Sequence, residues 1–106
     1  MVMKQFDVYD VNLDPAKGSE LKKRRPAVII SPDVMNKHLA TVIIAPLTHT
    51  RKGYPTRVSS RFKNEPGEIV LDQVRAVDKV RLLKRLGKLD QATSEAIKLT
   101  MRTMFG

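Results

Sequence analysis

The sequence predicts a mainly β fold: a small, curled or barrel-like antiparallel sheet with helical additions, closed by a C-terminal α-helix. Two β-branched runs, "PAVIIS" and "TVIIAPL", are too short for typical helices, and Pro26 and Pro46 fall toward their ends, where a missing N–H is tolerated. Turn-forming clusters recur between short apolar segments, giving roughly five to seven strands rather than alternating strand and helix. Sustained helical periodicity is confined to the residues after Asp90.

Taken in order, "FDVYDVNL" alternates imperfectly, which predicts a strand with Phe6, Val8 and Asp10 on one face and Asp7, Tyr9 and Val11 on the other. Pro15 and Gly18 then place residues 14–25 in an exposed loop, of a length that often carries function. The two β-branched runs should be central buried strands, joined by a short helical turn in "SPDVMNKH", with Ser31 as N-cap and Pro32 in the first turn. "THTRKGYP" reads as a second long loop, "TRVSS" as a strand and "NEPGE" as a tight turn into "IVLDQVRAV". In "DKVRLLKRLGKL" one helical turn from Asp78 followed by a strand is preferred to a continuous helix, which Gly87 would weaken. Asp90 then caps a helix whose apolar face recurs through Ala96 or Ile97, Thr100 or Met101, and Met104 or Phe105.

A chain of 106 residues with 42% hydrophobic content fits one domain over 1–106. The absence of cysteine excludes disulfides and thiolate metal sites. No signal peptide or membrane span is readable, so the expectation is a soluble cytoplasmic protein. Twenty Lys and Arg against eleven Asp and Glu leave a formal charge of +9, which favours a polyanionic partner. Because the cations gather near loops and strand ends and not on an amphipathic helix, a nucleic-acid groove is favoured over a membrane anchor.

The chain has no glycine-rich phosphate loop and no nucleophile elbow, and its two histidines, His38 and His49, fall in loop contexts. Glu68, Asp72 and Asp78 offer weak cation-ligand chemistry, since scattered acids near turns are usually solvated or bonded to backbone. Arg25 is the last charge before a buried strand. It can grip a phosphate through two parallel hydrogen bonds, or serve as a structural ion pair with Glu20 or Asp72. Lys22, Lys23 and Arg24 read as a rim that attracts polyanion. Ser19 and Glu20 lie close enough in sequence to fold back beside Arg25, and the Thr48 hydroxyl can enter the same cleft; turn and capping roles compete for both hydroxyls. His49 is the instinctive candidate for a general acid or base, although an exposed loop histidine more often has no catalytic part, and Tyr54 in "KGYP" either stacks on a base or covers the barrel mouth.

The order "VNLDPAKGSE", "RRPAVIIS", "TVIIAPLTHTRKGYP", "GEIVLDQVRAVDKVRL" and a terminal helix resembles the MazF/PemK family of toxin endoribonucleases over nearly the whole chain. The resemblance implies an SH3-like barrel, a homodimer, an acidic cognate antitoxin and a bacterial cytoplasmic setting. It also implies cleavage of single-stranded mRNA without metal or cofactor. In that chemistry the ribose 2′-OH attacks the adjacent phosphodiester, leaving 2′,3′-cyclic phosphate and 5′-OH ends. Carried over, Arg25 of "RP" and Thr48 of "PLT" match essential catalytic residues, Ser19 and Glu20 of "GSE" match active-loop residues, and Asp72 of "LDQ" matches an acid proposed to act in some members. From their charge, polarity and loop positions, the expected RNA-contacting set is Lys17, Lys22, Lys23, Arg24, His49, Arg51, Lys52, Tyr54, Gln73 and Arg75. Departures fall at Asp10, where a tryptophan is common, at Leu21 and the cations after "GSE", and at Val70, where some relatives carry an arginine.

Because a guanidinium holds its protons tightly, Arg25 donates far more readily than it accepts, which makes Glu20 the expected proton acceptor. Two other readings fit the barrel or the charge. A CcdB-like gyrase poison would not require Glu20, Arg25 and Thr48 together. A noncatalytic single-stranded RNA-binding module would be served by +9, although five aromatic residues make a thin stacking platform.

Overall fold

The computed structural model describes residues 2–14 and 23–106, and both β-branched runs lie at the centre of its sheet. Strand β1 is Asp7–Asn12, β2 Arg24–Ile29, β3 Thr41–Thr48, β4 Arg57–Phe62, β5 Glu65–Val70, β6 Arg75–Asp78 and β7 Leu82–Lys88. Helix α1 is Asp33–His38 and α2 is Gln91–Phe105; 3-10 turns at Leu71–Gln73 and Lys79–Arg81 flank β6. Among the described residues the seven strands form one sheet in the order β4-β5-β3-β2-β1-β7, with β6 also paired to β3. All the pairings are antiparallel.

The curl of the sheet is centred on β3. Its first half pairs Thr41–Ile44 with β6, and its end pairs Leu47 and Thr48 with Ile69 and Glu68 of β5. The 3-10 turn between β5 and β6 lets the chain leave one stretch of β3 and join another. This bend leaves both faces of the central strands covered. Val8, Val28, Ala45, Leu47, Ile69 and Ile97 meet in one core, while Tyr9, Val11, Ala27, Ile29, Val42 and Ile44 meet in another. Burial on both faces is the reason "AVII" and "TVII" are unbroken apolar runs without the alternation of a half-exposed strand.

Helix α2 closes the first core with Ile97, Ala96, Met101 and Met104. Its N-terminus is held by Asp90, whose side chain accepts from the Thr93 amide at 2.8 Å, as the sequence predicts. Phe105 instead stays exposed, so the apolar stripe stops at Met104.

Three local expectations require correction. The turn between β4 and β5 is not "NEPGE": Lys63 and Asn64 take positive φ of 50° and 63°, a two-residue I′-type connection that pairs Phe62 with Glu65. The backbone twist of that turn matches the strands, so the "EPGE" segment is free to extend as β5. Ser31 does not cap α1; Pro32 occupies that position. The Ser31 hydroxyl accepts from the Ile43 amide at 3.0 Å and bonds Asn36, tying the turn to β3. Residues 24 and 25 are not loop, because β2 already begins at Arg24, with Val11 opposite Arg25. Both faces of β1 are largely buried, and its two acids are paired, Asp7 with Arg85 at 3.2 Å and Asp10 with Arg24.

Candidate functional site

Arg25 and Thr48 come together because β2 and β3 are neighbours in a fixed register. Ala27 pairs with Pro46 and Val28 with Ala45, which brings the start of β2 alongside the end of β3. Both residues border a cleft of about 550 Å³ at the end of the sheet. Lys23, Arg24 and Lys63 supply cations around it, His49 an imidazole, Glu65 one acid, and Pro26, Leu47, Phe62 and Leu86 its apolar surface.

The strand end at Thr48 is built by close approach to β5. A Cβ on Gly67 would lie 2.2 Å from the Thr48 carbonyl oxygen, so only glycine allows the strands to meet there. The Thr48 hydroxyl oxygen accepts from the Thr50 amide at 3.3 Å, which starts the turn into the following loop. Farther along the loop, Gly53 takes φ of 70°, and the amides of Lys52 and Gly53 both donate to Glu68, at 3.0 and 2.8 Å.

Arg57 joins the two acids of this region. Its Nε lies 3.1 Å from Asp72 Oδ1, its Nη2 3.3 Å from Oδ2, and its Nη1 3.7 Å from Glu68 Oε1. The Thr56 hydroxyl also donates to Asp72 at 3.1 Å, and the Arg57 guanidinium stacks 4.9 Å from the Tyr54 ring centroid. For Glu68, burial pushes the carboxyl pKa upward, but the two amides and Arg57 outweigh it and hold the group below its ordinary range. Asp72 follows the same pattern: burial raises its pKa, and Arg57 together with the Thr56 hydroxyl lowers it further than burial lifts it. Glu68 and Asp72 thus serve protein donors, and Asp78 accepts from the Val80 amide at 3.0 Å.

The other sequence candidates divide by location. Ser19, Glu20, Lys17 and Lys22 lie outside the described residues. Asp72 sits in the 3-10 turn after β5, bound to Arg57 and Thr56, and does not border the cleft that holds Arg25 and Thr48. Gln73 ends that turn. Arg24 is salt-bridged to Asp10, its Nε 3.0 Å from Oδ2. Arg51 donates to the Ser60 carbonyl at 3.1 Å and Arg75 to the Leu13 carbonyl at 3.4 Å, so both brace backbone. Tyr54 is 49% exposed, with one face of its ring available beside Arg57. Sequence reasoning overlooked Arg57 entirely and treated Glu68 only as a weak cation ligand. The available hint was an acid inside "GEIVL", where an ionised group in a buried strand requires donors.

A model of the PemK-like, MazF-like toxins of type II toxin-antitoxin systems matches residues 4–105. The chain belongs to this toxin family. Endoribonuclease MazF of Staphylococcus saprophyticus is 40% identical over 91 residues, spanning 80% of this chain and 76% of that protein. Endoribonuclease EndoA of Bacillus subtilis is 33% identical over 103 residues, spanning 92% and 89%. Among solved structures, MazF of Deinococcus radiodurans shares the fold with a TM-score of 0.87 at 24% identity, over 100% of this chain and 98% of that one. A mycobacterial endoribonuclease solved with its cognate antitoxin gives 0.80 at 27% identity, over 94% and 91%. The toxin-family barrel expected from the motif order is thus the fold observed.

Proposed function

We propose that this toxin is an endoribonuclease that cuts single-stranded RNA by attack of a ribose 2′-OH on the adjacent phosphodiester, without a metal ion. The observation that carries this reading is that Arg25 and Thr48 border one cleft ringed by Lys23, Arg24 and Lys63. The names of its relatives, Endoribonuclease MazF and EndoA, support the same activity.

Attack of the 2′-oxygen makes a five-coordinate phosphorus with added negative charge on its non-bridging oxygens. Fixed donors aimed at those oxygens lower the barrier because they need no reorganisation as charge develops. Arg25 supplies a planar pair of N–H donors, and the Thr48 hydroxyl supplies a third whose direction is constrained by the Thr50 amide on its oxygen. Glu20 takes the 2′-OH proton, Arg25 gives a proton to the departing 5′-oxygen and regains one from water, and Ser19 is the further active-loop residue that the family resemblance implies. The products are a 2′,3′-cyclic phosphate and a 5′-OH end. Lys23 and Lys63 at the cleft draw the RNA backbone to it, with Lys52 on the β3–β4 loop adding to the attraction, and the apolar surface of Pro26, Leu47, Phe62 and Leu86 accepts a base turned out of its stack.

The neutralising partner is an antitoxin with an acidic segment, which competes with RNA for the same cations, and the working unit is a homodimer. The mycobacterial endoribonuclease solved with its cognate antitoxin supports the antitoxin pairing. Incubation with a long single-stranded RNA in EDTA, with the matching DNA alongside, tests the activity. Discrete cuts on RNA alone, bearing cyclic phosphate, are expected. Intact RNA would overturn the reading, and trapped gyrase-DNA complexes would replace it with topoisomerase poisoning.

A further inference from the structure

One buried charge beside the cleft has no part in the chemistry above. Glu68 is only 2% exposed and stands directly opposite Thr48 in the β3–β5 pairing. An ionised carboxylate so far from water is costly unless donors meet its oxygens. Here each oxygen takes one backbone amide from the loop that follows Thr48, Lys52 on Oε1 and Gly53 on Oε2. The acid and the loop therefore complete one another. Gly53, at positive φ, is what lets two successive amides converge on one carboxylate.

The same loop is fixed at its other end. Thr56 and Arg57 bind Asp72, and Arg57 spans from Asp72 to Glu68 with its side chain largely buried. At the start of the loop the Thr50 amide occupies a lone pair of the Thr48 hydroxyl. A change in the path of residues 50–53 is thereby felt at the Thr48 Oγ1 atom, through a backbone amide only two residues from the hydroxyl it holds.

We propose that Glu68 is a positioning residue: by latching the Lys52 and Gly53 amides it fixes the β3–β4 loop and, through the Thr50 amide, orients the Thr48 hydroxyl toward the scissile phosphate. This rests on the ribonuclease reading above. Glu68 touches no substrate in this account. Its loss misdirects a donor that matters in the transition state and leaves RNA binding largely as it was.

The test pairs kinetics with amide hydrogen exchange on the full chain, for the native sequence, Glu68→Gln and Glu68→Asp. Glutamine keeps the shape but presents an NH2 group to one of the two amides. Aspartate keeps the charge for Arg57 and is one methylene shorter. Glu68→Gln is expected to lower kcat about 10- to 100-fold with KM within about threefold, since small misplacements of catalytic groups carry penalties of that size. The Lys52 and Gly53 amides should exchange faster, while those of Val28 and Ile44 in the central strands stay protected. Glu68→Asp should lie between, which keeps the test open should the glutamine variant fold poorly. Unchanged kcat in a folded variant whose Lys52 and Gly53 amides have become fast would overturn the positioning role. Unchanged exchange in both variants would overturn the latch. If the native protein leaves RNA intact, the ribonuclease reading falls and the exchange rates decide the latch alone.

Discussion

Thr48 and Glu68 face one another across the β3–β5 ladder, one at the edge of the cationic cleft and the other sealed behind it. The pairing joins a candidate catalytic hydroxyl to a carboxylate network through backbone geometry alone.

On the cleft side, Arg25→Ala should lower the single-turnover cleavage rate about 10²- to 10³-fold, the scale for removing one preorganised donor to a developing oxyanion. Arg25→Lys keeps the charge and loses the planar fork, so it should recover only part of the rate. Cleavage of a fluorogenic RNA by Arg25→Lys at the native rate would show that charge alone suffices there.

Acid titration should expose the network behind the cleft. Glu68 and Asp72 have folded-state pKa values below their ordinary 4.5 and 3.8, so in acid the unfolded chain takes up protons that the folded chain resists. Their stabilisation is therefore complete above those ordinary values and is lost as pH falls through them toward the folded values. Urea midpoints should fall steeply with acidification over that window, and Glu68→Gln should flatten part of the slope. A midpoint independent of pH there would contradict the assignment.

Salt should weaken RNA binding in proportion to the phosphates contacted. Each of Lys52→Ala and Lys63→Ala is expected to reduce the slope of log affinity against log salt by about 0.7, the share of one contact on a single strand. Fluorescence anisotropy of a labelled RNA on a cleavage-deficient Arg25→Ala background measures the slope, and an unchanged slope would remove that lysine from the groove.

The approach of β5 to β3 gives a stability test. Gly67→Ala drives a methyl group toward the Thr48 carbonyl oxygen, to 2.2 Å without movement, so the strands must part. The expected cost is about 1–3 kcal/mol in urea unfolding, the usual range for an overpacked site. A stability equal to the native protein would mean the two strands separate without penalty.

Much of this arrangement is legible in the residues themselves. "PAVIIS" and "TVIIAPL" specify central strands because no other element of that length buries so many β-branched side chains, and Asp90 marks the start of α2 through its capping chemistry. The turn at Lys63 and Asn64 is less visible, because Pro66 and Gly67 carry stronger turn signals yet serve in a strand beyond the end of β3. Arg25 and Thr48 stand out by their place at strand ends and by family resemblance. The Arg57 bridge is not legible, since its contact with both Glu68 and Asp72 depends on the register of the β4–β5 hairpin, which the turn sets.

The most direct test of the proposed chemistry is a single atom in the substrate. Once a cut site is mapped, an RNA carrying one 2′-deoxynucleotide at the ribose that precedes the cut should bind with nearly native affinity and resist cleavage at that bond, because the nucleophile is gone. Cleavage there at the normal rate would mean that water or another group attacks the phosphorus, and the roles given to Arg25, Thr48 and Glu20 would have to be reassigned.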